Sequence, residues 1–279
     1  MSFIETRREG RVEVISLNRP NQANAQNHEL LLELDKAFDT ATRDDEVRVI
    51  VLRANGKHFS AGHDIAPREP GPPGTGMFDD VSTNGLMRMY RWETEHYLGF
   101  CRKWRDIPKP TIASVQGACI GGGLMLVWPC DLIIAADNAR FSDPVVRMGI
   151  GGVEYHGHTW EFGARKAKEM LFTAGTFDAQ EAYRLGMVNR VVPLADLDSA
   201  TLALATEISG MHPHGLMMAK QAVNQTLDAM GQHTAMQSAF TLHSLGHSNA
   251  WTVTGWPIMA GLSEMKTAIK EKEAADKPA

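Results

Sequence analysis

Cysteine is scarce: Cys101, Cys119 and Cys130 are the only three in 279 residues. The number is odd and no CxxC pair occurs, so neither a disulfide framework nor a cysteine-rich zinc site is available. Reduced thiols in a cytoplasmic protein are expected. No uninterrupted apolar run reaches membrane length, and the opening MSFIETRREG lacks the apolar core of a signal peptide. A basic surplus is missing too. Lys and Arg number 28 against 33 Asp and Glu, a net charge of −5, and the cations are spread along the chain. That distribution argues against a nucleic-acid or membrane surface as partner. Apolar residues are plentiful at 43%, enough to bury one large core, with or without an appendage.

The hydrophobic pattern alternates between strand-like runs and helical stripes. Ile4 to Glu9 and Val12 to Leu17 read as a hairpin about Gly10. Asn27 precedes a helix from His28 to about Thr42, with Leu30, Leu31, Leu34 and Phe38 on one stripe. Val47 to Leu52 is a buried strand. Seven prolines or glycines crowd the loop at 67–76, a surface insertion or lid. A long helix with Leu86, Tyr90, Tyr97, Cys101 and Trp104 on one side follows. Asp178 caps a helix ending near Gly186, and Val188 to Val192 is a last strand. Beyond Pro193 the pattern is helical, over 197–208, 213–230, 232–245 and 259–273.

The most informative stretch is TIASVQGACIGGGLMLVWPCDLIIAAD, residues 111–137. A strand, a turn at Gln116-Gly117 and the triplet Gly121-Gly122-Gly123 open a short apolar helix before a second strand. Glycines at a helix start let backbone N–H groups face a cavity with no side chain in the way. Such groups hold developing negative charge, although tight helix packing accounts for a glycine triplet equally well.

Three separated segments taken together carry a resemblance. They are Leu17-Asn18-Arg19-Pro20 with Asn24-Ala25, Phe59-Ser60-Ala61-Gly62-His63-Asp64-Ile65, and Gln116-Gly117 through the glycine triplet to Cys130-Asp131. With FTAGTFDAQEAYRLGMVNRVV further on, the chain from about residue 10 to 195 resembles the enoyl-CoA hydratase/isomerase (crotonase) family. The resemblance implies an α/β fold of the ClpP/crotonase-like type. Residues 1–195 would form a spiral of ββα units that binds acyl-CoA, and residues 196–279 a helical region that packs subunits into homotrimers or hexamers. The substrate would be an acyl-CoA thioester, with coenzyme A entering as part of it and no separate cofactor. The thioester enolate would be held by the backbone N–H groups of His63 and Gly122. Ala61 would meet the adenine and Ala23 with Asn24 the CoA chain, and Gly62, Asp64 and Gly121 fall within the same binding segments. Asn21 stands where many members carry a basic residue, which removes one expected phosphate contact.

The pattern breaks at the acid and base. The two positions that carry glutamate in hydratases of this family are Met125 and Val145, neither of which can move a proton. The segment Gly151 to Glu161, GGVEYHGHTWE, also departs. If helical from Glu154, it would put Glu154, His158 and Glu161 within an arc of ~60°, with His156 on the far side. Glu154 and His156 are therefore the candidates for a relocated acid and base, the alternative being a structural Glu–His cluster. Asp143 suits a turn or salt bridge, and Asp64 a turn cap. His156 with His158, His212 with His214 and His243 with His247 each offer two nitrogens and no evident third ligand, so no metal is expected. The expected function is an acyl-CoA enzyme of the hydratase/isomerase type. The alternatives are a catalytically silent acyl-CoA binder, or a family decarboxylase or C–C bond hydrolase.

Overall fold

The computed structural model describes residues 2–65 and 85–261, together with Thr267. The loop at 67–76 and most of the helix expected at 259–273 lie outside the described residues. Two strands, β1 (Ile4–Glu9) and β2 (Val12–Leu17), form the expected hairpin, and β2 then pairs in parallel with β3 (Val49–Ala54). Parallel pairing continues through β4 (Thr111–Val115), β6 (Leu132–Ala136) and β9 (Arg190–Val192). A smaller sheet joins β5 (Ala118–Ile120), β7 (Arg140–Ser142) and β8 (Thr176–Asp178).

Parallel strands are covered on both faces, so they read as unbroken apolar runs. Val12, Val14, Val49, Val51, Ile112 and Ile134 turn one way, onto the helix Leu197–Ser209. Their neighbours Ile15, Leu17, Ile50, Leu52, Ala113 and Val115 turn the other way, into the main core. There α1 (His28–Arg43) buries Leu30, Leu31, Leu34, Phe38 and Ala41, and the Asn27 side chain caps it by accepting from the Leu30 N–H at 3.1 Å. At the sheet edge β1 exposes five of its six residues, Glu-Thr-Arg-Arg-Glu, a charged rim that discourages further pairing.

The long helix is not uniform. It runs as α2 (Met87–Glu93), a π-helical turn (Thr94–Gly99) and α3 (Phe100–Arg105). Met89, Glu93, Tyr97, Leu98, Cys101 and Trp104 form its buried face, whereas Tyr90, expected there, is 40% exposed. The site helix α4 (Gly122–Val127) starts at Gly122, and every residue in it is buried. After β7 a 3₁₀ turn (Val145–Met148) leads to α5 (His158–Thr173), followed by α6 (Ala179–Leu185). The C-terminal region consists of α7 (Leu197–Ser209), α8 (Pro213–Ala229) and α9 (Gln232–Thr254), the last running nine residues beyond the expected Leu245. None of the described helices is long and apolar enough to cross a membrane.

One buried histidine–carboxylate contact fixes the loop between β7 and α5. Asp143 and His158 are both fully buried, with Nε2 and Oδ2 2.8 Å apart. The same carboxylate accepts from the Val145 and Val153 N–H groups, so it is the loop's hub. Removing one member of such a pair leaves the other charge or dipole stranded. Asp143→Ala should therefore lose about 3–5 kcal/mol of unfolding free energy. Chemical denaturation checks this; a midpoint within error of the parent would contradict it.

Candidate active site

The site forms where the segment Ser60–Ile65 passes the start of α4. Ser60 bridges Cys119 of β5, and His63 bridges Gln26 in parallel. On that side the Gln26 N–H donates to the Gly62 carbonyl at 2.8 Å and the Asp64 N–H donates to the Gln26 carbonyl at 2.9 Å. His63, between them, therefore turns its own N–H the other way. Gly62 has φ +90°, and a Cβ there would lie 2.7 Å from the Ile120 carbonyl oxygen and 3.1 Å from the Gly122 nitrogen. Only glycine lets the two backbones approach so closely. Gly122 is the first residue of α4, so its N–H has no partner within the helix. Among the described residues, neither the His63 nor the Gly122 N–H has a hydrogen-bond acceptor.

The His63 side chain folds back over this point. A Cβ on Gly122 would come within 2.7 to 3.0 Å of its Cε1, Nδ1 and Nε2 atoms. The Tyr97 ring stacks on the imidazole at 4.0 Å between centroids and 18° between planes. His63 Nε2 lies 3.1 Å from Glu154 Oε2, while Nδ1 is buried without a hydrogen-bond partner among the described residues. The His63 side chain keeps 13% exposure and Glu154 only 2%, so the imidazole is the more accessible half of the pair.

Behind Glu154 the chain of charges continues. His243 Nε2 is 3.5 Å from Glu154 Oε1 and 3.7 Å from Glu93 Oε2. His247 Nε2 is 3.5 Å from Glu93 Oε1 and 2.9 Å from His243 Nε2. Burial by itself raises the pKa of the Glu154 carboxyl, but the His63 and His243 imidazoles outweigh it and hold the group below the usual carboxylate range. His243 shows the converse: burial disfavours its charge, and Glu154 and Glu93 more than restore it, raising its pKa. Burial lowers that of His247.

Residues 154 to 157 precede α5, so Glu154, His158 and Glu161 do not share a helical face as the spacing suggested. The turn at Gly152, with φ +139°, and the tight turn closed by the Gly157 N–H on the Tyr155 carbonyl delay the helix. Glu154 faces His63, His158 faces Asp143, and Glu161 lines a separate cavity of about 480 Å³ between the core and the C-terminal helices. There burial pushes the Glu161 carboxyl up to about 8. His156 packs on Gly152 and on the His158 ring, 4.3 Å away, with its pKa pushed down to about 4 by burial. No hydrogen bond joins it to His63 or Glu154 among the described residues, so the second acid/base candidate stands apart from the first. Met125 is a buried core residue and Val145 is half-buried beside Met148 and Ile150.

Of the binding segment, Ala61 is exposed and its N–H donates to the Ala23 carbonyl at 2.9 Å. Ala23 adopts the left-handed region at φ +49°. Asn24 is fully buried, its amide donating to the Asn55 and His58 carbonyls at 2.9 Å and its oxygen accepting from the Arg19 N–H at 2.8 Å. Its side chain shapes the loop. Asp64 pairs with Arg19 at 3.1 Å, and the Gly121 N–H is taken by the Ser142 carbonyl at 2.8 Å. Sequence reasoning missed Glu93 altogether and placed Tyr97 in the core stripe. His243 and His247 stood out by their four-residue spacing, but their carboxylate partners lie far away in the chain.

Comparison with known proteins agrees with this architecture. The family model described as enoyl-CoA hydratase/isomerase matches residues 7–254. The provisionally named enoyl-CoA hydratase EchA13 of Mycobacterium tuberculosis is 42% identical over 269 residues, covering 93% of this chain and 85% of that protein. Among solved structures, a probable enoyl-CoA hydratase from Mycobacterium smegmatis superposes with a TM-score of 0.85 at 53% identity, covering 92% of this chain and 100% of that one. Another from Mycobacterium thermoresistibile gives 0.85 at 55% identity, with 92% and 99% covered. This chain has the crotonase fold and belongs to the enoyl-CoA hydratase/isomerase family of enzymes.

Proposed function

We propose that this protein adds water to an enoyl-CoA thioester, using His63 in place of the glutamates that are absent at Met125 and Val145. The observation that carries the reading is the His63 imidazole packed on Gly122 with its Nε2 at 3.1 Å from the Glu154 carboxylate. In this reading Glu154 accepts a hydrogen bond from Nε2–H, which leaves the lone pair on Nδ1 as the base. His63 Nδ1 takes a proton from water as the water oxygen bonds to Cβ of the enoyl group. The electron pair of the double bond moves onto the thioester oxygen, giving an enolate that the His63 and Gly122 N–H groups hold. The imidazolium, stabilised by Glu154, then returns the proton to Cα. Each N–H donor would contribute roughly 3 kcal/mol to the charged intermediate.

Coenzyme A is the handle of the substrate in this scheme, and no other cofactor is required. A homotrimer or hexamer is part of the same reading. It is supported by the apolar side chains that the C-terminal helices leave exposed, among them Val223, Leu242, Leu245 and Val253 at 61 to 65%.

Crotonyl-CoA and longer enoyl-CoAs serve as test substrates. His63→Ala keeps the backbone donor but removes the base, and Glu154→Gln keeps the shape but removes the charge. Both should lower kcat about 10²–10⁴-fold with little change in KM. Turnover at the parental rate in both variants would overturn the pair as acid and base. Micromolar CoA-ester binding without any turnover by the parent protein would favour the silent binder. Proton exchange at Cα without hydration would point to isomerisation.

Gly122→Ala tests the geometry separately. The new methyl would displace the imidazole, since it meets three of its atoms at 3.0 Å or less. A kcat loss of at least about 10²-fold is expected, and activity within twofold of the parent would contradict the placement of His63.

A further inference from the structure

Behind the proposed acid/base pair, three buried side chains from distant parts of the sequence converge: Glu93 at the end of α2, and His243 and His247 one turn apart on α9. Their nearest ligand atoms all lie within 4.8 Å of one another. We propose that Glu93, His243 and His247 form a binding site for one divalent transition-metal ion of the zinc type. The inference does not depend on the chemistry proposed at His63.

The outer contacts of both histidines favour this. His243 Nδ1 lies 2.7 Å from the Gly152 carbonyl oxygen and His247 Nδ1 2.6 Å from that of Pro257. A carbonyl only accepts, so each Nδ1 carries a proton, and once the proton held at Nε2 is displaced each ring turns a lone pair inward. An imidazole N–H tied to a backbone carbonyl is the arrangement that orients histidine metal ligands. The two Nε2 atoms are 2.9 Å apart, with the ring planes at 76°. Two nitrogens bound at about 2.1 Å to one ion lie about 3.0 to 3.4 Å apart between right-angled and tetrahedral geometry. The rings need open by only a few tenths of an ångström.

A proton shared between the two imidazoles is the competing occupant, and Glu93 decides between them. Its carboxylate has no exposure, and neither oxygen has a hydrogen-bond donor among the described residues. The imidazole nitrogens stand 3.5 and 3.7 Å from it, beyond hydrogen-bonding range. A proton between the rings leaves both oxygens unsatisfied, which is costly for a buried carboxylate. A cation bound by both nitrogens would satisfy them. The π-helical turn begins at Thr94, directly after Glu93, and such turns recur at functional sites. Imidazole with carboxylate suits Zn²⁺, Fe²⁺, Co²⁺ or Ni²⁺ and disfavours Mg²⁺ and Ca²⁺. The ion would pin α9 to α2 next to Glu154.

Full-length protein stripped with chelator and dialysed can be titrated with Zn²⁺ by calorimetry and with Co²⁺ by visible absorption. The expectation is one ion per chain, a cobalt ligand-field band, and protons released on binding. Glu93→Gln, nearly isosteric, and His247→Ala should each weaken binding at least 10-fold, whereas the exposed pair changed by His212→Ala and His214→Ala should leave it unaltered. No stoichiometric binding by the parent protein would overturn the site, as would binding that survives Glu93→Gln or disappears with His212 and His214. The parent's cobalt spectrum decides the matter even if His247→Ala does not fold.

Discussion

Everything in the proposed chemistry depends on the contact between the imidazole of His63 and the carboxylate of Glu154, made directly over Gly122. One residue thereby serves twice. Its backbone N–H is turned away from Gln26 and is unengaged among the described residues, and its ring reaches a buried anion 3.1 Å away. A carboxylate in so enclosed a place would ordinarily take up a proton. It stays ionised because imidazoles flank it on two sides, and burial strengthens those attractions as it removes solvent.

The fold supplies the precision this requires. The parallel strands are buried on both faces and form a rigid platform, and the loops at their ends bring residues 60–65 against the start of α4. Two glycines make that approach possible. Gly62 admits the Ile120 carbonyl, and Gly122 admits the imidazole. Tyr97, carried on the π-helical turn, closes the opposite face of the ring. Asp143 and His158 hold the loop that carries Glu154, with the Val153 N–H bound to Asp143 at 3.0 Å. The site is thus assembled from four separate regions of the chain, and the C-terminal helix α9 reaches it through His243.

Much of the scaffold was legible because local signals set it. The turn at Gly10, the cap at Asn27, the cap at Asp178 and the apolar strand runs all act within a few residues of themselves. The convergence of residues 60–65 with the glycine triplet came from the family resemblance, not from periodicity. What misled was the segment 151–161. Extrapolating helical spacing back to Glu154 ignored the turn at Gly152, and so grouped Glu154 with His158 and Glu161, which face three different surroundings. Glu93 could not be found at all, since nothing nearby in sequence marks a carboxylate that will meet His243 and His247 only after the C-terminal helices dock. The aromatic stripe was read one residue out at Tyr90, where Met89 takes the buried place ahead of the π-helical turn.

The most direct test of the account is a crystal structure with a bound, slowly reacting acyl-CoA thioester. The account predicts the thioester oxygen about 2.7–3.1 Å from the backbone nitrogens of both His63 and Gly122. It also predicts His63 Nδ1, or a water bonded to it, facing the α- and β-carbons while Nε2 remains on Glu154. A thioester oxygen bound elsewhere, or those two N–H groups pointing apart with ligand present, would contradict it.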